Sequence, residues 1–163
     1  MRALAVLAVI FLIFPLLLLA LGQFGFLGGS PPGERGLRDG KLKPPSRTSN
    51  SVSSQATLWP AAEYDVKYAK IEPIRFSGDA VVAMNRLRDV LKAWPGATVV
   101  EDRPDYIAVE FETRWLRFVD NAEFLLDAAE RVIHVRSQSR LGSKDLGVNR
   151  KRIEALRRKL DLR

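Results

Sequence analysis

The chain has 163 residues, which is enough for one domain and leaves little for a second. It has no cysteine and one histidine, so disulfides, thiol catalysis, thiolate zinc sites and multi-histidine metal sites within one chain are excluded. Lysine and arginine outnumber aspartate and glutamate by 26 to 19, and the net charge of +7 favours an anionic partner such as lipid, polysaccharide or nucleic acid.

The N-terminal segment is predicted to lie in a membrane. Residues 3–21 carry no charged or polar side chain. A spanning helix needs about 20 apolar residues, whereas the apolar part of a cleaved signal has about 7–15. We therefore predict a transmembrane anchor or uncleaved signal at residues 1–22; cleavage after Gly22, followed by secretion, is the alternative.

The orientation of this segment rests on two opposing observations. Five basic residues follow it between Arg35 and Arg47, and the positive-inside rule alone would place the domain in the cytoplasm. However, a neutral stretch at residues 22–33 separates these charges from the apolar segment, and the short N-terminal tail with Arg2 resembles the start of a signal. We expect a single pass through the cytoplasmic membrane, with the domain in the periplasm or otherwise outside the cytoplasm.

A linker is predicted to follow at residues 23–60. This segment is rich in Gly, Pro and Ser, and Pro31-Pro32 and Pro44-Pro45 exclude a continuous helix. Its last part, SNSVSSQATLWP, is less polar, which favours docking onto the domain. The sequence thus predicts a flexible tether between the membrane and a domain at residues 61–163.

The domain begins with a predicted strand and helix. Residues 70–76 read as a short strand, and Pro73 indicates an edge position. Ser77 is predicted as the helix N-cap. The helix is predicted at residues 79–94, where apolar residues recur at helical spacing, and Pro95-Gly96 ends it.

Four strands and a second helix are predicted next. The strands lie at residues 97–102, 107–113, 123–127 and 132–137, with an interruption at 118–121 and a hairpin turn at 128–131. The last helix is predicted from an apolar stripe of Leu146, Ile153, Leu156 and Leu160.

This order of elements predicts an α+β fold. No βαβαβ repeat is present, so we expect a largely antiparallel sheet of about five strands, covered on one face by two helices and preceded by the transmembrane helix and the flexible linker. A curved sheet around the last helix, as in helix-grip folds, has the same element order and is an alternative by analogy.

The segment SRLGSKDLGVNRKR, residues 139–152, connects the last strand to the last helix. Gly142 and Gly147 can adopt positive φ angles in the turn, and Asp145 or Asn149 can accept hydrogen bonds from the free amides of the helix start. An alternative is an anion site, where Arg140, Lys144 and Arg152 converge on those amides. The spacing of a nucleotide P-loop is absent.

Three stretches resemble one known family. VIHVRSQSRLGSKDLGVNRKRIEALR resembles the closing motif of the DUF1499 family, a family of unknown function, SNSVSSQA resembles its opening motif, and FVDNAEF its middle motif. Ser51 stands where the opening motif has Cys, and Asn121 replaces the second Asp of the middle motif. The resemblance implies an extracytoplasmic or membrane-associated domain without an established activity. Ser51 excludes a thiol role, and Asn121 weakens a metal or acid–base role.

No catalytic residue, metal ligand or cofactor is predicted. Asp120, Glu123 and Asp127 could act as acid–base carboxylates, but pairing and capping are the commoner roles. The serines near Ser51 with His134 could belong to a hydrolase triad, but G-x-S-x-G is absent. The candidate binding residues are the polar side chains of the three motifs: Ser53, Ser54, Asp120, Glu123, Arg136, Arg140, Asp145, Asn149 and Arg152.

The last helix carries most of the excess positive charge. Residues 149–163 contain seven basic residues and two acidic ones, so the helix could contact anionic lipid or an envelope polymer. Nucleic acid is less favoured because stacking aromatic residues are missing around it. We expect a membrane-tethered, non-catalytic binding or scaffold module in the cell envelope. A carrier of lipid or a small apolar ligand, with a cavity between sheet and helix, is the alternative, and a hydrolase is the least favoured.

Overall fold

The computed structural model describes residues 2–32 and 35–160, with side chains from residue 11 onward. Residues 1, 33–34 and 161–163 lie outside it. The helices are α1 (Arg2–Gln23), α2 (Val66–Ala69), α3 (Ala80–Lys92) and α4 (Val148–Leu160). The strands are β1 (Leu37–Arg38), β2 (Lys41–Leu42), β3 (Ser51–Ser53), β4 (Ile74–Arg75), β5 (Ala97–Asp102), β6 (Tyr106–Glu112), β7 (Val119–Asp127) and β8 (Val132–Ser139).

The main sheet has six strands in the described chain, and all its ladders are antiparallel. Its order is β3-β8-β7-β6-β5, and β4 pairs with the other end of β8. Side chains alternate between the two faces along β6, β7 and β8, and one face of each strand contributes buried apolar residues to the main core. The predicted α+β class with a largely antiparallel sheet is confirmed.

The main core lies between this sheet and the two long domain helices. Leu87 and Leu91 of α3 and Leu156 of α4 are buried in one cluster with the sheet. The sheet contributes Val109, Phe111, Ala122, Phe124, Ile133 and Val135. Each buried aliphatic side chain of this kind contributes about 1.5–3 kcal/mol relative to exposure. We call this side of the sheet the helix face and the opposite side the outer face.

A short hairpin of β1 and β2 covers part of the outer face. Leu42 is fully buried there in a second cluster with Tyr106, Ala108 and Leu125. The Leu42 amide donates to the Gln55 side chain at 2.8 Å, and the Trp59 indole donates to the Leu42 carbonyl at 3.1 Å. We call residues 35–46 the strap.

The described part of the predicted linker, residues 23–60, therefore differs from a fully flexible tether. β3 lies in the main sheet, where Val52 is fully buried, and the strap packs on the outer face. β3 lies in the last part of this segment, whose low polarity favours docking onto the domain. The strap gives no such signal in the sequence, because it is fixed largely through backbone groups.

Three local predictions also need correction. The N-cap of α3 is Asp79, whose carboxylate accepts from the amides of Val81 and Val82, and not Ser77. Residues 119–121, predicted as an interruption, belong to β7. Leu146 is not part of the buried stripe of α4, because it precedes the helix at a φ of 51° and is 86% exposed.

The N-terminal helix α1 contains Pro15 and ends beside the domain. Across the described side chains, no helix combines the length and hydropathy needed to cross a membrane. The side chains of residues 1–10, the first part of the predicted anchor, are not among those that the structure describes.

Candidate functional site

The predicted site residues divide between the two faces of the sheet. Side chains alternate along a strand, so Asp120 and Glu123, three positions apart in β7, point to opposite faces. The outer face holds Ser53, Glu123, Arg136 and Arg140. The helix face holds Asp120, Asp145, Asn149 and Arg152. Ser54 lies just beyond β3. The structure thus places eight of the nine residues on two opposite faces of the sheet, four on each, and the ninth, Ser54, at the end of β3.

Glu123 is the centre of the outer cluster. It is 5% exposed and accepts from the Tyr106 hydroxyl at 2.6 Å, the Gly36 amide at 3.1 Å and Arg136 Nη1 at 2.9 Å. Burial, followed by the hydrogen bond to Glu123, raises the pKa of Tyr106 well above its usual value, so this hydroxyl remains a proton donor. Both oxygens of the Glu123 carboxylate therefore already accept hydrogen bonds from the protein itself.

Two arginines of the outer cluster connect the sheet to the strap. Arg136 also donates to the Pro44 carbonyl at 3.1 Å. Arg140 donates to Asn121 Oδ1 at 2.9 and 3.2 Å and forms an ion pair with Glu110. Glu110 forms a second ion pair with Arg35 of the strap. One carboxylate is thus shared by two guanidinium groups, which leaves local positive charge uncompensated.

Between the strap and the outer face lies a cavity of about 200 Å³, which we call the strap cavity. Its charged lining consists of Arg35, Lys43, Glu123, Arg136 and Arg140, so four basic side chains surround one acidic one. The amides of Asn121 and Gln138 add neutral hydrogen-bonding groups to this lining. Guanidinium and amide donors at such a site suit a carboxylate or phosphate group.

The helix cluster is built around Asn149, which is fully buried. Its side-chain amide donates to the Asn50 carbonyl at 3.2 Å, to Ser139 Oγ at 2.9 Å and to Asp145 Oδ2 at 2.8 Å. Its side-chain oxygen accepts from Ser137 Oγ at 2.5 Å and from Arg152 Nη1 at 3.0 Å. Asn149 therefore links α4 to the ends of β3 and β8.

Asp145 caps the start of α4, as the sequence predicts. Its carboxylate accepts from the amides of Gly147 at 2.9 Å and Asn149 at 3.0 Å, and from the Tyr68 hydroxyl. Gly142 and Gly147 have the predicted positive φ angles, 84° and 78°. Asp145 thus already accepts hydrogen bonds from the amides that a bound anion at the start of α4 would need.

Arg152 also lies within the helix cluster. It forms an ion pair with Asp120 at 2.5 Å, and its guanidinium carbon lies 4.8 Å from the centroid of the Phe111 ring. The side chains of Arg152 and Asp120 are only 9% and 7% exposed. The pair is therefore a buried structural contact between α4 and β7.

A comparison with known families gives one match. The model described as "Protein of unknown function (DUF1499)" matches residues 41–160. The chain belongs to the DUF1499 family. The matched region starts inside the strap and ends with the last described residue of α4, so the DUF1499 domain includes β3, which the predicted boundary at residue 61 had left in the linker. A search among curated proteins found no match.

A serine and the histidine meet on the outer face of the DUF1499 domain. Ser54 Oγ lies 3.2 Å from His134 Nδ1, and His134 Nε2 lies 3.9 Å from Asp127 Oδ2, which is too long for a hydrogen bond. Ser54 Oγ also accepts from the Val135 amide at 2.9 Å. The pKa of His134 is lowered by burial, and Asp127 offsets this only in part. The serine is thus engaged by the strand, and Asp127 does not orient the histidine as a triad carboxylate would.

Other members of the two clusters were not predicted. Tyr106, Tyr68 and Asn50 each contact a predicted residue that lies more than fifteen positions away in the sequence. Arg35 is linked to the predicted Arg140 through Glu110. No sequence spacing indicates such pairings. Among the described residues of the DUF1499 domain, no group of three or more histidine, aspartate or glutamate side chains could hold a metal ion.

The Asp145 cap predicts an acid-dependent loss of stability. Burial alone would raise the pKa of Asp145, but hydrogen bonds from Tyr68, Asn149 and Gly147 outweigh it and hold the pKa below its ordinary value of 3.8. The unfolded state then binds the proton first as the pH falls. The stabilisation is complete above the ordinary pKa and is lost as the pH falls through the lower, folded value. The free energy of unfolding, measured with urea at a series of acidic pH values, should depend less steeply on pH in Asp145→Asn than in the wild type.

Tyr68→Phe provides the graded control for this prediction. It removes one of the hydrogen bonds that lower the pKa of Asp145 and leaves the carboxylate in place. Its pH dependence should lie between those of the wild type and Asp145→Asn. Parallel curves for all three proteins would show that Asp145 does not contribute to acid unfolding.

Proposed function

We propose that the chain is a membrane-tethered, non-catalytic binding module whose ligand site is the strap cavity and whose ligand carries a small anionic group. The observation that carries the proposal is the arrangement of three guanidinium groups around two carboxylates at this cavity. Arg136 pairs with Glu123, whereas Arg35 and Arg140 share Glu110, which leaves an excess of positive charge. A ligand with a carboxylate or phosphate group would complete the charge balance.

The size of the strap cavity limits the ligand. Its volume of about 200 Å³ is below the range of about 300–1,000 Å³ of drug-sized pockets, and a water molecule takes about 30 Å³ in the liquid. A small carboxylate or phosphate ester is of suitable size, whereas a whole lipid is not.

The non-catalytic part of the proposal rests on how the polar groups are used. Glu123 and Arg136 are bonded to each other and to the strap, and Asp120 and Arg152 form a separate pair on the other face. Acid–base catalysis needs a titrating group that faces a substrate. The polar groups of both clusters instead support the fold and the shape of the cavity.

The tether is proposed for the segment at residues 1–22, with the domain outside the cytoplasm. Support comes from the uncharged sequence at residues 3–21 and from the large apolar side chains of α1. Those at positions 11–14 and 16–17 are 52–79% exposed. Exposed apolar surface of this extent is characteristic of a segment that contacts a membrane or another protein.

The binding role is tested with inorganic phosphate and with citrate, each compared with chloride at equal ionic strength. A ligand that binds only the folded state raises its stability, by about 2.7 kcal/mol at a hundred times the dissociation constant. We expect at least one of the two anions to raise the melting temperature of the wild type, and we expect Arg140→Gln to reduce this rise.

Arg117→Gln is the matched control for the binding test. Arg117 is also paired with a glutamate, at 3.1 Å from Glu112, but it lies outside the cavity lining. It should keep the full wild-type response. If neither anion raises the melting temperature beyond the chloride control, or if both arginine variants respond alike, the strap cavity is not an anion site.

A further inference from the structure

Several large apolar side chains are exposed together at the end of the domain next to α1. Trp115 is 65% exposed, Leu146 86%, Val148 42%, Leu141 40% and Phe118 36%. The last four of these line one groove of about 360 Å³. We call these five residues the apolar rim.

The C-terminal end of α1 contacts the segment that carries Trp115. The Gln23 side chain donates to the Trp115 carbonyl at 3.1 Å. Gly22 packs directly against the Leu116 backbone, where an added Cβ atom would lie 2.6 Å from the Leu116 carbonyl oxygen. The C-terminal end of α1 therefore lies beside the segment that carries Trp115.

The segment after α1 stays close to the rim. An added Cβ atom at Gly29 would lie 3.0 Å from Leu141 Cγ, and one at Gly28 would lie 3.7 Å from Val119. Phe24 and Phe26, in the same segment, are 80% and 72% exposed. The segment that carries these two exposed phenylalanines therefore lies next to the rim residue Leu141.

Leu146 gives an independent reason to look for a contact outside the domain. It has a φ of 51°, in the left-handed region that glycine and asparagine adopt more readily. Its side chain is 86% exposed and therefore contributes little to the core. A leucine at this position is unfavourable for the local backbone and unnecessary for packing, which is consistent with an external apolar contact.

Basic side chains surround the rim. The Arg114 guanidinium lies 5.1 Å from the Trp115 ring centroid, and Lys144 lines the same groove as Leu146. Tryptophan is enriched at membrane–water interfaces, and nearby lysine and arginine are attracted to anionic headgroups. The two acidic residues of the groove are engaged within the protein, since Asp145 caps α4 and Asp120 pairs with Arg152.

We propose that the apolar rim lies in the interfacial layer of the bilayer that holds α1, with Trp115 and Leu146 beside the first methylene groups of the acyl chains and Arg114 and Lys144 at the lipid phosphates. The proposal depends on the tether described under Proposed function. It adds that the domain rests on the lipid surface in one orientation. The orientation of α4 and of the strap cavity relative to the membrane is then fixed as well.

The test uses the full chain reconstituted in vesicles of phosphatidylcholine and phosphatidylglycerol whose acyl chains are brominated. Bromine quenches tryptophan fluorescence only at close range. The wild type should be quenched, and Trp115→Phe should lose this quenching, because the remaining Trp59 and Trp94 lie elsewhere in the domain. Leu146→Ser should also lose quenching, whereas Leu58→Ser, a matched change at a 53% exposed leucine, should keep it.

Flotation of the same vesicles separates the two proposals. If the wild type does not float with the vesicles, the tether itself is wrong. If it floats but Trp115 is not quenched, or if Leu146→Ser and Leu58→Ser are quenched equally, the tether stands and the rim proposal is overturned. If Trp115 of the wild type is not quenched and chemical crosslinking gives a dimer, the rim contacts a second copy of the chain. This result would also overturn the rim proposal.

Discussion

Replacing Asp120 with alanine should lower the free energy of unfolding by about 3–5 kcal/mol, because it leaves the guanidinium of Arg152 buried without its counter-ion. Both side chains of this pair are less than one tenth exposed. The remaining partners of Arg152 are the Asn149 side-chain oxygen and the face of the Phe111 ring, and neither carries a full negative charge. The loss should appear as a lower midpoint in urea unfolding with an unchanged slope.

Two further variants distinguish charge burial from loss of an ordinary surface contact. Glu154→Ala breaks the 2.5 Å pair with Arg157 on the same helix, where the side chains are 37% and 28% exposed, and it should cost about 0–1 kcal/mol. The double variant Asp120→Leu with Arg152→Met removes both charges and should recover most of the lost stability. If the double variant is no more stable than Asp120→Ala, burial of the unpaired arginine is not the cause.

Replacing Asn149 with alanine should lower the free energy of unfolding by about 3–4 kcal/mol, since several buried polar groups lose their partner at once and each costs about 1–3 kcal/mol. These groups are the Asn50 carbonyl, the hydroxyls of Ser137 and Ser139, and one oxygen of Asp145. A loss of this size is a large part of the total stability of about 5–15 kcal/mol of a typical domain. Urea unfolding measures it directly.

The same substitution at Asn85 is the control, because this asparagine is exposed on α3 and its side chain bonds only to Arg88 in the described structure. Asn85→Ala should change stability by about 0.5 kcal/mol or less. Asn149→Leu fills the space of the amide without its hydrogen bonds and should remain strongly destabilised. Near wild-type stability in Asn149→Leu would mean that packing, and not hydrogen bonding, makes Asn149 important.

The elements that the sequence predicts well are those with a local signal. The alternation in β6 and β8 and the helical spacing in α3 predict the type of each element, and in β8 and α3 they also predict burial. In β6, Tyr106 and Ala108 are buried as well, because the strap covers them on the outer face. The Asp145 cap was predictable for the same reason, since a carboxylate and the amides it binds lie within four positions. Leu146 was placed in the helix stripe because its spacing fits, although the positive φ ends the helical geometry there.

The outer cluster was not predictable in the same way. Its predicted members, Glu123, Arg136 and Arg140, stand out in the sequence only as polar residues of the motifs. Their positions do not indicate which groups they contact. The strap that closes the cavity is attached through the Gly36 amide, the Pro44 carbonyl and a shared Glu110, and backbone groups leave no sequence pattern. Alternation along β7 was visible in the sequence and could have separated Asp120 from Glu123 in advance.

The pairing of β3 with β8 has a consequence for how the chain reaches its native state. Residues 51–53 pair with residues 136–138, and Asn50 is bonded to Asn149, so the first and last parts of the domain complete the sheet edge together. Contacts this distant in sequence form late in folding, because the intervening loop must close first. During synthesis β3 therefore stays without its partner strand until residues 136–138 have left the ribosome, and a chaperone that protects β3 would act on the nascent chain up to that point.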